Sequence, residues 1–231
     1  MSLPYFFIEK IENDSISLDE DTSKHMISVL RMQIGEEILL TDGKGTRARA
    51  VITDDNRKKC KVDVQSTETE KTQQRKFTIA ISIIKNSSRF EWFVEKATEL
   101  GVHEIIPLIC TRTEKEKFRS DRMKQVMISA MLQSQQCRLP VLREPMALTK
   151  SFELNYDQKL IAHCLPGQKS PFSAPEKDLT TCILIGPEGD FTPAEIQTAL
   201  DHQYIPVTLG DTRLRTETAG IVAAVLYCIK K

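Results

Sequence analysis

The fold is decided by residues 181–196, TCILIGPEGDFTPAEI. Residues 183–185 form a short apolar run, which is typical of a parallel strand buried on both faces. Thr192 and Glu195 have the spacing of a capping box, and Pro193 stands at the first helical position. The stretch therefore predicts a strand, a glycine turn and a helix.

The turn holds Gly186 and Gly189, which allow left-handed or closely approached backbone. Such a turn leaves main-chain donors and acceptors free at the carboxyl end of the strand. Open α/β sheets bind their ligands at this edge, so the turn is a candidate site.

A second stretch repeats the plan. Residues 206–209 predict a strand, residues 210–218 a polar loop, and Ala219 the start of a buried helix. The loop holds two arginines, a glutamate and three threonines, which is more polar chemistry than a simple connection requires. Each loop alone could equally be an ordinary strand-to-helix turn or a ligand site. The two together favour a ligand site.

These two loops resemble the paired signature of the bacterial RsmE family. The signature residues are 184–189, 209–210 and 214–219, and His25 with residues 29–31 and residues 96–102 agree as well. The family consists of knotted SPOUT-class methyltransferases that methylate N3 of one uridine in small-subunit ribosomal RNA. The resemblance implies the trefoil knot, which periodicity could not have indicated, and a homodimer with the knot near its interface.

The resemblance also implies S-adenosylmethionine as cofactor, bound among the loops that follow Ala162, Ile185 and Leu209. A folded cofactor can be bound largely by backbone groups and apolar side chains, so glycines and leucines are sufficient to form its site. The candidate cofactor-binding residues are His163, Ile185, Gly186, Pro187, Glu188, Gly189, Leu209, Gly210, Leu214, Thr216 and Ala219.

Two residues are candidates for the chemical step. Arg215 could stabilise the negative charge that spreads onto the uracil oxygens, and Glu217, or a water that it holds, could accept the N3 proton. The alternative is that the two side chains pair with each other or cap the final helix. The reaction needs no metal, and the six scattered cysteines show no metal-ligand spacing.

The 32 basic and 32 acidic residues give no net charge, so RNA binding must rest on local patches. Residues 44–61 are rich in lysine and arginine, which indicates either a solvated hairpin or a phosphate track. The candidate RNA-binding residues are Arg31, Arg47, Arg49, Lys85, Arg89 and Arg112.

Composition predicts a soluble protein of one large or two small domains, with 40% hydrophobic and 28% charged residues. We expect it in the cytoplasm, because the sequence has neither a membrane-spanning run nor a secretory signal. Short strands dominate the first 65 residues and predict a small barrel-like sheet, which the resemblance identifies as a PUA-like β-barrel. Residues 65–76 contain no apolar side chain and mark the boundary between an RNA-binding domain at 1–68 and a methyltransferase domain at 72–231.

The second domain alternates strands with helices, which predicts a parallel α/β sheet. Its strands are expected near residues 77–84, 104–109, 159–162, 181–185 and 206–209, and residues 165–178 as a surface loop. The chain departs from the family at residues 132–136, where flanking charges are missing; either those charges are dispensable or Arg138 does similar work. Two other functions stay open: ribose 2′-O-methylation of transfer RNA by a SPOUT enzyme, and RNA binding without catalysis.

Overall fold

The computed structural model describes residues 3–12, 14–71, 75–114, 117–175 and 178–229. The chain divides into two compact units. The first comprises residues 1–72 and 131–139, and the second comprises residues 73–130 and 140–231.

The first unit is a five-stranded sheet with one short helix. Its strands are β1 (Tyr5–Phe7), β2 (Ser15–Ser17), β3 (Glu37–Thr41), β4 (Thr46–Asp54) and β5 (Lys61–Thr69). They are ordered β1-β3-β4-β5-β2, and all pairs are antiparallel except β1 with β3. Helix α1 (Glu20–Lys24) continues into a π-helical turn (His25–Val29). The prediction of a small β module is confirmed.

This sheet forms because its strands alternate buried apolar and exposed polar residues. Ala48, Ala50 and Ile52 of β4 are buried and pack on Met26 from the π-helical turn. The pairing of β4 with β5 shifts register at two places, and such irregularities bend a strand and increase its twist.

The strands of this unit extend beyond residue 65 and into the stretch predicted as the domain boundary, because β5 continues to Thr69. Glu68 pairs with Arg47 and Thr69 with Thr46, so the backbone ladder holds this stretch while its side chains stay exposed. A strand held by its backbone needs no apolar residue.

Residues 131–139 complete the first unit although they follow the second unit's residues in the chain. Gly45 donates its N–H to the Cys137 carbonyl at 2.8 Å, and the Arg138 guanidinium donates to the carbonyls of Lys44 and Glu70, each at 2.7 Å. Arg138 is therefore engaged by backbone carbonyls within the first unit. The division into functional domains at 1–68 and 72–231 stays a prediction.

The second unit is built on an eight-stranded sheet in which all strand pairs are parallel. Its strands are β6 (Lys76–Ser82), β7 (Glu104–Ile109), β8 (Val141–Leu142), β9 (Met146–Ala147), β10 (Gln158–Ala162), β11 (Ser170–Pro171), β12 (Thr180–Ile185) and β13 (Ile205–Thr208). The order is β11-β13-β10-β12-β6-β7-β8, and β9 pairs with β7. The predicted parallel α/β fold is confirmed, whereas the trefoil knot stays a prediction.

Helices connect these strands. They are α2 (Ser87–Glu99), α3 (Ser120–Gln133), α4 (Leu148–Ser151), α5 (Pro193–Asp201) and α6 (Thr216–Cys228). The predicted capping box is present at α5, where Thr192 and Glu195 exchange side-chain and backbone hydrogen bonds. Helix α6 packs on α2 so closely that a Cβ on Gly220 would lie 2.5 Å from a ring carbon of Phe93.

One local expectation is wrong, and a second is confirmed only in part because most of the described residues of the predicted loop are exposed. Helix α6 begins at Thr216 rather than Ala219, since Arg215 occupies the N-cap position and its carbonyl accepts the Ala219 N–H at 2.8 Å. The surface loop predicted at 165–178 contains β11 and the buried Phe172, which stacks on Phe77; residues 176–177 of that loop lie outside the described part. Across the described ranges, no helix is long and apolar enough to cross a membrane.

Candidate active site

Three loops meet at the carboxyl edge of the sheet of the second unit. Strands β13, β10 and β12 are parallel neighbours, and Ala162 pairs with both Ile185 and Val207, so the three strands end at the same level. The loops that follow them enclose a cavity of about 760 Å³. This volume lies within the range of about 300–1,000 Å³ that is usual for ligand sites.

Most of the candidate cofactor-binding residues line this cavity, and both candidate catalytic residues do so as well. The lining residues among the candidates are His163, Ile185, Gly186, Pro187, Glu188, Leu209, Gly210, Leu214, Arg215, Thr216, Glu217 and Ala219. Gly189 is a candidate that does not line the cavity; a Cβ there would lie 3.2 Å from the Arg112 side chain. Which of these residues contact a cofactor stays a prediction.

The glycine turn is held by close packing rather than by left-handed glycines. A Cβ on Gly186 would lie 3.1 Å from both the ring and the backbone nitrogen of Phe191. The Gly186 carbonyl accepts the buried Thr216 hydroxyl at 3.0 Å, which joins this turn to the start of α6. Neither Gly186 nor Gly189 has a positive φ, so the left-handed option considered for them is wrong.

Asp190 is the left-handed residue of this turn, with a φ of 64°. Its carboxylate accepts the backbone N–H groups of Cys164 and Phe191, both at 2.8 Å. The loops after β10 and β12 are thus tied together by one side chain. The sequence analysis missed Asp190, although aspartate is one of the few residues that tolerate a left-handed backbone.

His163 lies at the end of β10 with an unpartnered ring nitrogen. Within the described residues its buried Nδ1 has no hydrogen-bond partner, while Lys169 donates to its backbone carbonyl at 2.8 Å. Burial lowers the pKa of His163 below 6.5, and Lys169 lowers it further, whereas Asp190 opposes the shift. The imidazole is therefore neutral at pH 7 and offers the cavity an uncharged polar group.

Glu217 is a buried carboxylate in the first turn of α6. Its exposed fraction is 6%, its Oε1 lies 3.7 Å from Nε of Arg89, and its Oε2 has no hydrogen-bond partner among the described residues. Arg215 does not pair with Glu217 and makes no side-chain cap, so neither alternative considered for this pair holds. Its guanidinium is exposed at the cavity.

Three candidate RNA-binding residues belong to the second unit. Arg89 lines the cavity, Arg112 donates to the Gly189 carbonyl at 2.6 Å, and Lys85 donates its backbone N–H to Glu188 at 3.2 Å. These contacts place all three beside the glycine turn and α6. Their binding to RNA stays a prediction.

The other three belong to the first unit. Arg47 donates to the Gln135 carbonyl at 2.7 Å and lies over the Tyr5 ring, and Arg49 pairs with Glu37 at 3.6 Å. Arg31 is exposed in a left-handed conformation with a φ of 57°. Since the Arg47 guanidinium already donates to a backbone carbonyl, Arg31 and Arg49 are more available than Arg47 for contact with RNA.

In the part of the chain that the structure describes, no group of three or more His, Cys, Asp or Glu side chains could hold a metal ion. Cys164 is the exposed cysteine of the cavity wall. Burial raises the pKa of the Cys60 and Cys137 thiols to about 11, so these side chains stay protonated at neutral pH.

Fold and cavity define the class: a parallel α/β domain with a ligand site at its carboxyl edge, accompanied by a small β unit. Residues 70–227 match the family model described as an RNA methyltransferase domain, and residues 18–65 match an RNA methyltransferase PUA domain.

Relatives agree with these matches. The ribosomal RNA small subunit methyltransferase E of Mesomycoplasma hyopneumoniae is 33% identical over 165 residues, 68% of this chain and 70% of the relative. The Bacillus subtilis protein of the same name is 27% identical over 229 residues, 92% of this chain and 89% of the relative.

Solved structures agree as well. One described as a probable rRNA-methyltransferase from Porphyromonas gingivalis superposes with a TM-score of 0.89 at 38% identity, covering 96% of this chain and 95% of that one. The methyltransferase E of Neisseria gonorrhoeae, bound to S-adenosyl methionine, gives 0.84 at 26% identity and covers 97% and 96%. The chain therefore belongs to the RNA methyltransferase family, among the ribosomal RNA small subunit methyltransferase E (RsmE) proteins.

Proposed function

We propose that this enzyme uses S-adenosylmethionine to methylate N3 of a uridine in small-subunit ribosomal RNA. The observation that carries the proposal is the convergence of the loops after β10, β12 and β13 on one cavity, lined by Arg215 and Glu217. Relatives named ribosomal RNA small subunit methyltransferase E, one of them bound to S-adenosyl methionine, support it.

The residues present fit the cofactor. The cavity has room for a drug-sized ligand, its walls combine apolar side chains with backbone groups, and two of its polar atoms, Nδ1 of His163 and Oε2 of Glu217, have no partner in the described residues. Gly210 has a φ of 142° and nothing within 4 Å of where a Cβ would stand, so the backbone at this point is open to a ligand. When bound, S-adenosylmethionine supplies a methyl group activated by a sulfonium.

The chain's main contribution is to position the uracil and to exclude water. Methyl transfer requires N3 in line with the methyl group, and correct placement of reactants can supply several kcal/mol, up to about 7–11. The loops are suited to this because Thr216 and Asp190 fix them to one another. The uridine must also be unstacked, since N3 lies on the edge that pairs with another base.

Arg215 is proposed to stabilise the uracil anion. Loss of the N3 proton spreads negative charge onto the two carbonyl oxygens of the ring, and a guanidinium can donate to either of them. Arg215 is exposed at the cavity and no hydrogen bond or ion pair engages its side chain in the described residues, so no protein contact need break. Such donors are often worth about 10²–10³ in rate.

Glu217 is proposed to accept the N3 proton. Its Oε2 is a buried acceptor of the cavity with no hydrogen-bond partner in the described residues, and Arg89, whose Nε lies 3.7 Å from Oε1, helps orient the side chain. The N3–H bond breaks and its proton goes to Oε2, and the electron pair left on N3 forms the new bond to the methyl carbon. With the cofactor bound, the bond between that carbon and sulfur would break at the same time, and its electron pair would leave with the sulfur.

The proposal also covers the residues that contact the RNA, the location of the protein in the cell and its quaternary structure. Arg31 and Arg49 of the PUA-like unit are proposed to contact the RNA, in the cytoplasm where ribosomes assemble. We also propose a homodimer, supported by exposed apolar side chains at Val225 (37%) and Leu226 (41%) of α6 and at Ile229 (56%) directly after it. Light scattering tests the proposed homodimer, because it measures the mass of the protein in solution.

The activity is tested with small ribosomal subunits from a strain that lacks the protein. Incubation with enzyme and S-adenosylmethionine is expected to create a new reverse-transcription stop, because a methyl group at N3 removes the pairing donor. Nucleoside mass spectrometry must then identify N3-methyluridine. A ribose methyl would favour the transfer RNA alternative, and no calorimetric binding of S-adenosylmethionine would favour RNA binding without catalysis.

A further inference from the structure

A second, smaller cavity lies beside the N-terminal turn of α2. Its volume is about 210 Å³. Its floor is apolar and consists of the buried side chains of Ile84, Phe90 and Met123. A cavity below the usual range of about 300–1,000 Å³ is too small for a whole cofactor and suits one flat group of a larger ligand.

The rim of this cavity combines an aromatic ring with polar and positive groups. Phe118 is half-buried and stands edge-on to Phe90, with ring centroids 5.6 Å apart and an interplanar angle of 88°. Lys117 and Arg119 are exposed on either side of Phe118, and Ser87 contributes a hydroxyl. Within the described residues neither the Lys117 ammonium nor the Ser87 hydroxyl is engaged, and Arg119 has only a distant partner, Glu91 at 3.7 Å.

This cavity adjoins the active site. Arg89 lines the large cavity and the next residue, Phe90, lines the small one. The backbone N–H of Lys85 donates to Glu188 of the glycine turn, which links the loop after β6 to the active-site loops. The small cavity is therefore connected to the large one through residues 89–90 and through the hydrogen bond between Lys85 and Glu188.

We propose that the small cavity binds a nucleobase of the substrate RNA that flanks the target uridine. The inference rests on the proposed function. Phe118 offers a stacking surface, Ser87 a hydrogen bond to the base edge, and Lys117 with Arg119 a contact to the adjoining phosphates. Unpaired bases are commonly recognised in this way, by aromatic stacking next to a positively charged path for the backbone. A captured neighbour would hold the strand open so that the target base stays unstacked.

Phe118→Ala tests the stacking. We expect its affinity for protein-free small-subunit RNA to fall by about 5- to 100-fold, the scale of one lost base–aromatic stack. Its calorimetric affinity for S-adenosylmethionine should not change. Phe118→Trp should retain most of the RNA affinity, because it restores a stacking ring. The matched control is Trp92→Ala, which removes a 45%-exposed aromatic from the same helix as Phe90 without touching either cavity.

Two further measurements guard against a variant that does not fold. In Lys117→Ala/Arg119→Ala, the dependence of log affinity on log salt should become shallower by about one to two. Substrate RNA carrying 5-iodouridine on either side of the target should cross-link to a peptide containing Phe118, as mass spectrometry would show.

The inference falls if folded Phe118→Ala binds and methylates RNA as the wild type does. An effect seen only with protein-containing subunits would assign the cavity to a ribosomal protein instead, and would overturn it as well. If the wild type itself makes no N3-methyluridine, the proposed function fails first, so the two failures are distinguishable.

Discussion

Replacing Glu217 by methionine should abolish methylation without unfolding the protein. The Glu217 carboxylate is 6% exposed and Oε2 lacks a partner among the described residues, an arrangement that costs about 1–3 kcal/mol. Its ion pair with Arg89 is long, at 3.7 Å, and the Arg89 side chain is 43% exposed, so that pair contributes only about 0–1 kcal/mol. The acid in the first turn of α6 adds about 0.3–1 kcal/mol through the helix dipole.

The cost of the unpartnered oxygen nearly cancels the stabilisation from the ion pair and the helix dipole. The small remainder favours the stability of the variant. The free energy of unfolding of Glu217→Met should lie between about 1 kcal/mol below and about 3 kcal/mol above the wild-type value, and methionine is suited to the site because it is unbranched and favours helices. In a domain of this size each kcal/mol raises Tm by about 2–4 °C. The rate of a single methylation turnover should nevertheless fall by about 10²–10⁴.

The assays are urea denaturation without cofactor and single-turnover methylation of small subunits. Arg89→Met is the informative partner, because it leaves the buried carboxylate without its cation and should destabilise the protein. The double variant should recover stability, so the two substitutions are not additive. If Glu217→Met loses more than about 2 kcal/mol, Glu217 is a structural residue and the reasoning from its unpartnered oxygen is wrong.

Arg215→Ala should slow methylation by about 10² or more while cofactor affinity and Tm stay close to wild type, because the side chain is exposed and unpaired in the described structure; a large loss of cofactor binding would contradict this. Gly45→Ala should destabilise the first unit by about 2–4 kcal/mol in urea denaturation, because a Cβ at a φ of 103° would overlap the Arg138 guanidinium and break its hydrogen bonds to two carbonyls. Gly35→Ala, with a φ of 91° and no atom within 4 Å, is its control for backbone strain alone, and equal losses in the two variants would refute the overlap. The His163 imidazole should titrate below 6.5 by NMR, and since its pKa is depressed in the folded state, the stability it contributes is present above pH 6.5 and is lost as the pH falls through the folded value. The slope of stability against pH should flatten in His163→Asn, and an unchanged slope would show that the shift has no energetic weight.

The fold was predictable where the sequence carries a local signal. Strand β7 and the core of β12 were predicted because buried parallel strands appear in the sequence as apolar runs. The start of α5 was predicted from its capping box. The strand extension at 65–69 was not predictable, because a ladder of backbone hydrogen bonds leaves no mark on side-chain polarity. Residues 131–139 were missed for a related reason, since their partners in the first unit are distant in the chain.

The site was predictable as a set of loops but not as a set of contacts. The glycine turn and the polar loop before α6 identified the cavity wall, whereas the pairing of Arg89 with Glu217 joins two helices that no local pattern connects. Arg89 was consequently assigned to RNA alone. Asp190 was not predicted because glycine is the residue expected at a positive φ, whereas in this turn Asp190 has the positive φ and the two glycines do not.

The hydrogen bonds of the site explain why Arg215 and Oε2 of Glu217, the groups proposed to react, are left without partners in the described residues. Thr216 donates to Gly186, Cys164 donates to Asp190, and Arg112 donates to Gly189, so the loops are fixed to their neighbours by bonds that involve a backbone group on at least one side. Because these contacts hold the loops, Arg215 and Oε2 of Glu217 need not take part in holding them and can face the cavity. A site built in this way binds its ligands with little reorganisation, which is the condition under which one guanidinium and one carboxylate act most strongly on the reacting base. In the described structure, the fixed loops and the free side-chain atoms of the two proposed catalytic residues are thus two consequences of the same set of backbone contacts.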